Sequence, residues 1–154
     1  MSSSHVFVRL ARHHTVRAVR DESYARCLLG GHAVDTTTHT ALEQLELSRV
    51  VRHALDRLDT QAPDLAETLH FALFGYLRHP TTKGYDSAWL HRGYDTGYGW
   101  PAVLTEPTVA RLALELPAVA DAFKDTDERT AVGQLAAFYQ AAALAGQVMI
   151  VGEE

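Results

Sequence analysis

Apolar positions along this chain recur at two different periods, and the changes between them divide it into elements. His5 to Leu10, HVFVRL, is short, roughly alternating and rich in β-branched and aromatic residues, which predicts a strand. From Thr15 to Leu29, Val16, Val19, Tyr24 and Leu28 follow helical spacings, and Gly30-Gly31 supplies a stop, so the pattern predicts one helix. His32 to Thr40 is polar and threonine-rich and reads as a loop. Ala41 to Leu58 carries Leu42, Leu45, Val50, Ala54, Leu55 and Leu58 on one side and Glu43, Glu46, Arg49, Arg52 and Asp56 on the other. That is the pattern of an amphipathic helix.

Pro63-Asp64 restarts a helix that runs to Leu77. Its second half, LHFALFGYL, is apolar on nearly all sides, which places it at the centre of the fold, and His79-Pro80 ends it. Further on, Thr105 reads as an N-cap with Pro107 in the first turn, and Val109, Leu112, Ala113 and Leu116 form the apolar stripe. Pro117 is expected to bend or break that helix, with a short continuation through Phe123. A last helix, capped by Thr126 or Asp127, spans about Glu128 to Leu144 and stops at Gly146, and Gln147 to Val151 reads as a strand. A strand near each end with helices between predicts a single α+β domain, with four or five helices around a small sheet that joins the two terminal strands.

Composition is compatible with this and narrows the function. A chain of 154 residues, 47% apolar and 21% charged, has the makeup of one globular domain. Nineteen Asp and Glu against fourteen Lys and Arg argue against a nucleic-acid partner, because a phosphate backbone needs a basic face. Arg9, Arg12, His13, His14, Arg17 and Arg20 form a local basic run that reads as the solvated side of the first strand and helix. A single cysteine, Cys27, allows no intrachain disulfide, and it reads as a buried, unreactive thiol at an apolar helix end. No signal peptide is evident, and no apolar run approaches the roughly 20 residues of a membrane helix. The expected location is cytoplasmic, with no membrane association.

The densest chemistry lies in Lys83 to Trp100, KGYDSAWLHRGYDTGYGW, which reads as a structured loop. Both tryptophans, Trp89 and Trp100, and three of the six tyrosines, Tyr85, Tyr94 and Tyr98, fall within it, with Asp86, His91, Arg92 and Asp95. Tyr, Trp and Arg dominate binding hot spots, but the same rings also serve core rims. Three readings follow: a loop folded onto its own domain, a surface for a protein partner, or a small-molecule site. His70, in the apolar helix, is either a core histidine bonded to a backbone carbonyl or a tyrosine, or an acid–base residue under that loop. In the second case Asp86, Tyr94, Asp95 and Tyr98 are the candidate partners. The nine histidines show no pair four apart on a predicted helix, so neither a metal nor a cofactor is expected. Serine-elbow, phosphate-loop and dinucleotide motifs are likewise missing.

Two patches carry a family resemblance. Leu69 to Gly75, LHFALFG, follows a polar helix start, and Gly97 to Leu104, GYGWPAVL, leads into Thr105-Glu106-Pro107. Together with Phe138-Tyr139 ahead of a short apolar strand, they resemble the YfbM-like family of small bacterial proteins over roughly residues 55–151. Trp100 and Glu106 interrupt the family's pattern, and its lysine–tryptophan pair is absent where this chain reads Asp64 to Thr68, DLAET. The resemblance implies an α+β fold and no established activity. The acidic net charge, the small size and the lack of a catalytic motif fit a non-enzymatic binding protein, regulatory, adaptor or toxin-neutralising. It would engage a protein partner through Tyr85, Trp89, His91, Arg92, Tyr94, Asp95, Tyr98 and Trp100. The alternative is an enzyme or sensor with a pocket formed by His70, Asp95 and Tyr98.

Overall fold

The computed structural model of the chain describes residues 5–29, 39–44, 54–76, 84–89 and 101–153. The strand expected at the start is present as β1, His5–Leu10. Two helices follow, α1 at Arg12–Arg20 and α2 at Glu22–Leu29, in place of the one expected. Asp21 divides them. Its N–H ends α1 on the Arg17 carbonyl, and its carboxylate accepts from the Tyr24 N–H at 3.1 Å, satisfying a first-turn donor of α2.

The second correction concerns Ala41. Residues 39–44 form strand β2, His39–Gln44, antiparallel to β1, and only residues 54–61 of this region are described as helix, α3. Pairing with β1 satisfies a row of backbone groups that a helix over Ala41–Gln44 would leave open, and it overrides the helical preference of ALEQ. Helix α4, Pro63–Phe74, starts where expected and stops three residues early, at Gly75. Gly75 takes φ +76°, and its N–H bonds the Phe71 carbonyl. A Cβ there would lie 2.5 Å from Ala102 Cβ, so the close approach of the sheet also demands glycine.

Within Lys83–Trp100, expected to be a loop, Ser87–Trp89 forms strand β3; beyond that segment, Ala102–Leu104 forms β4. Helix α5, Glu106–Ala122, is unbroken at Pro117 and ends one residue short of Phe123. Continuing the helix buries Val119 and Ala120, which offsets the one backbone hydrogen bond that proline cannot donate. Helix α6, Thr126–Leu144, is capped one residue ahead of expectation, by Asp125, which accepts from the Asp127 and Glu128 N–H groups. Strand β5 covers Val148–Glu153.

The strands form one antiparallel sheet in the order β2-β1-β5-β4-β3, so the first and last strands lie side by side, with Phe7 opposite Val151 and Arg9 opposite Met149. Alternation along the strands divides the core in two. Phe7, Met149, Val151, Ala102 and Leu104 face α3, α4, α5 and α6, while Val8, Leu10, Val148 and Ile150 face α1 and α2. Leu69, Phe71 and Leu73 of α4 are buried and Phe74 is half-buried, as the central position of that helix requires. The result is a single α+β domain with six helices among the described residues. Among them no helix is long and apolar enough to cross a membrane.

Candidate functional site

Register decides which way the aromatic strand faces. Trp89 lies opposite Ala102 and Ser87 opposite Leu104, so both project to the α4 side of the sheet. Ser87 Oγ donates to the Gly75 carbonyl at 2.5 Å, tying β3 to the end of α4. This brings Trp89 against Tyr76, with ring centroids 6.1 Å apart, and both rings are about half exposed, at 46% and 47%. Tyr76 in turn packs on Phe74 and edge-on to His70, 5.0 Å away. The aromatic rings therefore form a continuous series from the core to the surface at one corner of the sheet.

His70 is 7% exposed and sits at the inner end of that series. Its Nδ1 lies 3.0 Å from the Tyr76 carbonyl, and since a carbonyl only accepts, Nδ1 carries the hydrogen. A backbone carbonyl is one of the partners that the core-histidine reading expected. On the same helix, three residues earlier, Glu67 is 4% exposed.

Tyr85 is turned the other way. Gly84 takes φ +71°, and the Tyr85 ring that follows it enters between α4 and α5. The ring packs on Phe71 at 4.9 Å, and the Arg111 guanidinium lies over it at 4.6 Å. The Tyr85 hydroxyl donates to Glu115 Oε2 and lies 3.0 Å from Thr68 Oγ1, and Arg111 pairs with Glu115 at 3.4 Å. The next residue, Asp86, donates its backbone N–H to Thr108 Oγ1 at 2.8 Å. Burial, and then the hydrogen bond to the Glu115 carboxylate, push the Tyr85 pKa up to about 12. Tyr85 is thus an anchor for the start of β3 rather than a surface contact. Thr68, Arg111 and Glu115 complete the anchor. Their only sequence signal was the i, i+4 spacing of Arg111 and Glu115.

Removing the anchor hydroxyl has a predictable cost. Tyr85→Phe keeps the ring but abolishes the bond to Glu115, and should destabilise the domain by about 1–3 kcal/mol at neutral pH. The raised pKa also means that the unfolded chain loses the Tyr85 proton first. Wild-type stability from this group is therefore complete below pH 10 and falls as the pH rises toward about 12. Urea unfolding at neutral and alkaline pH should show a flatter alkaline decline for Tyr85→Phe. Burial also raises the pKa of Tyr139, so part of the decline should persist. Parallel curves for the two proteins would contradict the assignment.

Of the other sequence-derived candidates, His91, Arg92, Tyr94, Asp95, Tyr98 and Trp100 lie outside the described residues. The structure brings His70 and Trp89 together through Tyr76 and directs Tyr85 elsewhere. Cys27 is partly rather than fully buried, because it lies at the rim of α2 beside the buried Leu28. Among the described residues no group of three or more His, Cys, Asp or Glu is placed to hold a metal ion. A cleft of about 100 Å³ lies between α3 and the α5–α6 turn, lined by Arg57, Leu58, Phe123 and Glu128 among others. It is smaller than the roughly 300 Å³ at which ligand pockets begin, and none of the candidate residues lines it. No family model, curated protein or solved structure matches this chain.

Proposed function

We propose that this chain is a small cytoplasmic binding protein of the YfbM-like kind. It engages a protein partner through the aromatic segment 83–100, to which Trp89 belongs. One observation carries this reading: Trp89 and Tyr76 stand half exposed, in ring contact, on a backing of core side chains. Large rings whose positions are already set lose little entropy on binding, and this is why such residues act as hot spots. Regulatory, adaptor and toxin-neutralising roles all use a surface of this type. The resemblance in LHFALFG and GYGWPAVL supports the family assignment.

The test begins with affinity capture from the source cell, followed by titration of the purified partner. Trp89→Ala should weaken binding by about 2 kcal/mol, roughly 30-fold, because a hot-spot ring is lost. Its melting temperature should barely move, since the ring is half exposed. Unchanged affinity in both Trp89→Ala and Tyr76→Ala would overturn the reading.

A second reading, a small-molecule enzyme or sensor, draws on the buried pair Glu67 and His70 on one helix, with Asp95 and Tyr98 as further pocket residues. A metabolite that copurifies with the native protein and is lost in His70→Ala would favour it over the first.

A further inference from the structure

The helix α1 carries a second surface, on the opposite face of the sheet from Trp89. Its exposed residues are Arg12, His13, Val16, Arg17 and Arg20. At about 100° per residue these positions fall within roughly 140° of the helix circumference and extend about 12 Å along its axis. The helix contains no acidic residue. In a chain with an excess of carboxylates, this is a concentrated basic stripe.

The stripe is distinguished by what its arginines do not touch. Arg26, Arg57 and Arg111 each pair with a carboxylate, of Glu22, Glu128 and Glu115 respectively. Arg9 turns inward and donates to the Gln147 side chain, and Arg129 donates to the carbonyls of Phe123 and Asp121. Among the described residues no carboxylate forms an ion pair with Arg12, Arg17 or Arg20. Complementarity to the helix dipole accounts for Arg17 and Arg20 in the last turn, but Arg12 opens the helix, where a cation opposes the dipole. Arg17 is also held in place. Its guanidinium lies 4.1 Å over the Tyr24 ring, and the Tyr24 hydroxyl is hydrogen-bonded to the buried His14. A guanidinium stacked on a ring keeps its N–H donors for an acceptor outside the protein.

We propose that α1 docks an acidic segment of a partner protein, whose Asp and Glu carboxylates are bound by Arg12, Arg17 and Arg20. Each guanidinium presents a fork of donors that matches a carboxylate. The patch is short and is bounded at its C-terminal end by Asp21 and Glu22, so it fits a few carboxylates rather than a long polyanion. A net charge of -5 repels a nucleic acid beyond the patch. Val16 is the only apolar residue in the stripe, far less than an interfacial helix inserts into a membrane. This surface is independent of the Trp89 surface, and either can fail without the other.

The test uses the full chain and a fluorescently labelled oligoglutamate peptide, titrated at about 50 mM and about 200 mM salt. Saturable binding is expected at the lower salt, with a marked loss at the higher. Arg12→Ser with Arg20→Ser should weaken it about tenfold, and addition of Arg17→Ser should weaken it further. The double variant spares the Arg17–Tyr24 contact, so it should melt with the wild type. The same titration with a DNA duplex, and with vesicles containing phosphatidylserine, separates the other polyanions. The proposal is overturned if the peptide shows no saturable binding, or if binding is unchanged in the double variant. Tighter binding of the duplex or the vesicles through the same arginines would overturn it as well.

Discussion

A chain truncated after Gly146, lacking residues 147–154, is expected to be unfolded at room temperature. Strand β5 is interior to the sheet: it pairs with β1 through Phe7–Val151 and Arg9–Met149, and with β4 through Ala102–Val151 and Leu104–Met149. Val148, Met149, Ile150 and Val151 are all essentially inaccessible, two on each face of the sheet. Their burial alone contributes roughly 6 kcal/mol or more, comparable with the whole stability of a typical domain. The loss also opens the inner edges of β1 and β4 and exposes both halves of the core at once. Far-ultraviolet circular dichroism and a thermal melt decide the matter: a cooperative transition at the wild-type temperature would show that β5 does not hold the sheet together.

The second large effect is expected from Leu73→Ala. Leu73 is 1% exposed on α4, in the part of the core enclosed by α4, α5, α6 and the sheet. Its neighbour Ala72 accepts a 2.7 Å hydrogen bond from the buried Tyr139 hydroxyl of α6, which fixes the helices against each other and limits collapse into the vacated space. A Leu→Ala change at such a site costs about 2–5 kcal/mol. For a domain of this size that is a fall in melting temperature of roughly 5–20 °C. A fall under about 2 °C would remove α4 from the centre of the fold.

Periodicity was most legible where an element meets its surroundings on a single face or on all of them. The alternation in HVFVRL located β1, the all-round apolar character of LHFALF located the central helix, and the short apolar run after Gly146 located β5. Local chemistry also marked boundaries that periodicity missed. Asp21 caps α2 and Gly75 caps α4, and both signals were in the chain, but each competed with an apolar pattern that continued past it. Of the candidate site, Trp89 and Tyr85 were identifiable by residue type, whereas Tyr76 was not, because its role depends on a strand that lies beside it only in three dimensions.

Local spacing was enough to establish the class of this fold, its central helix and its two terminal strands, because burial selects apolar residues at fixed intervals along the chain. Long-range contacts settled the remaining elements. Ala41–Gln44 became a strand because β1 had an edge to pair, and α5 passed Pro117 because burial beyond it outweighed one lost hydrogen bond. Tyr85 turned inward because Thr68, Glu115 and Arg111, from two other helices, converge on its ring and hydroxyl. Each of these outcomes depends on a neighbour distant in the chain, and local spacing carries no information about which neighbour that will be.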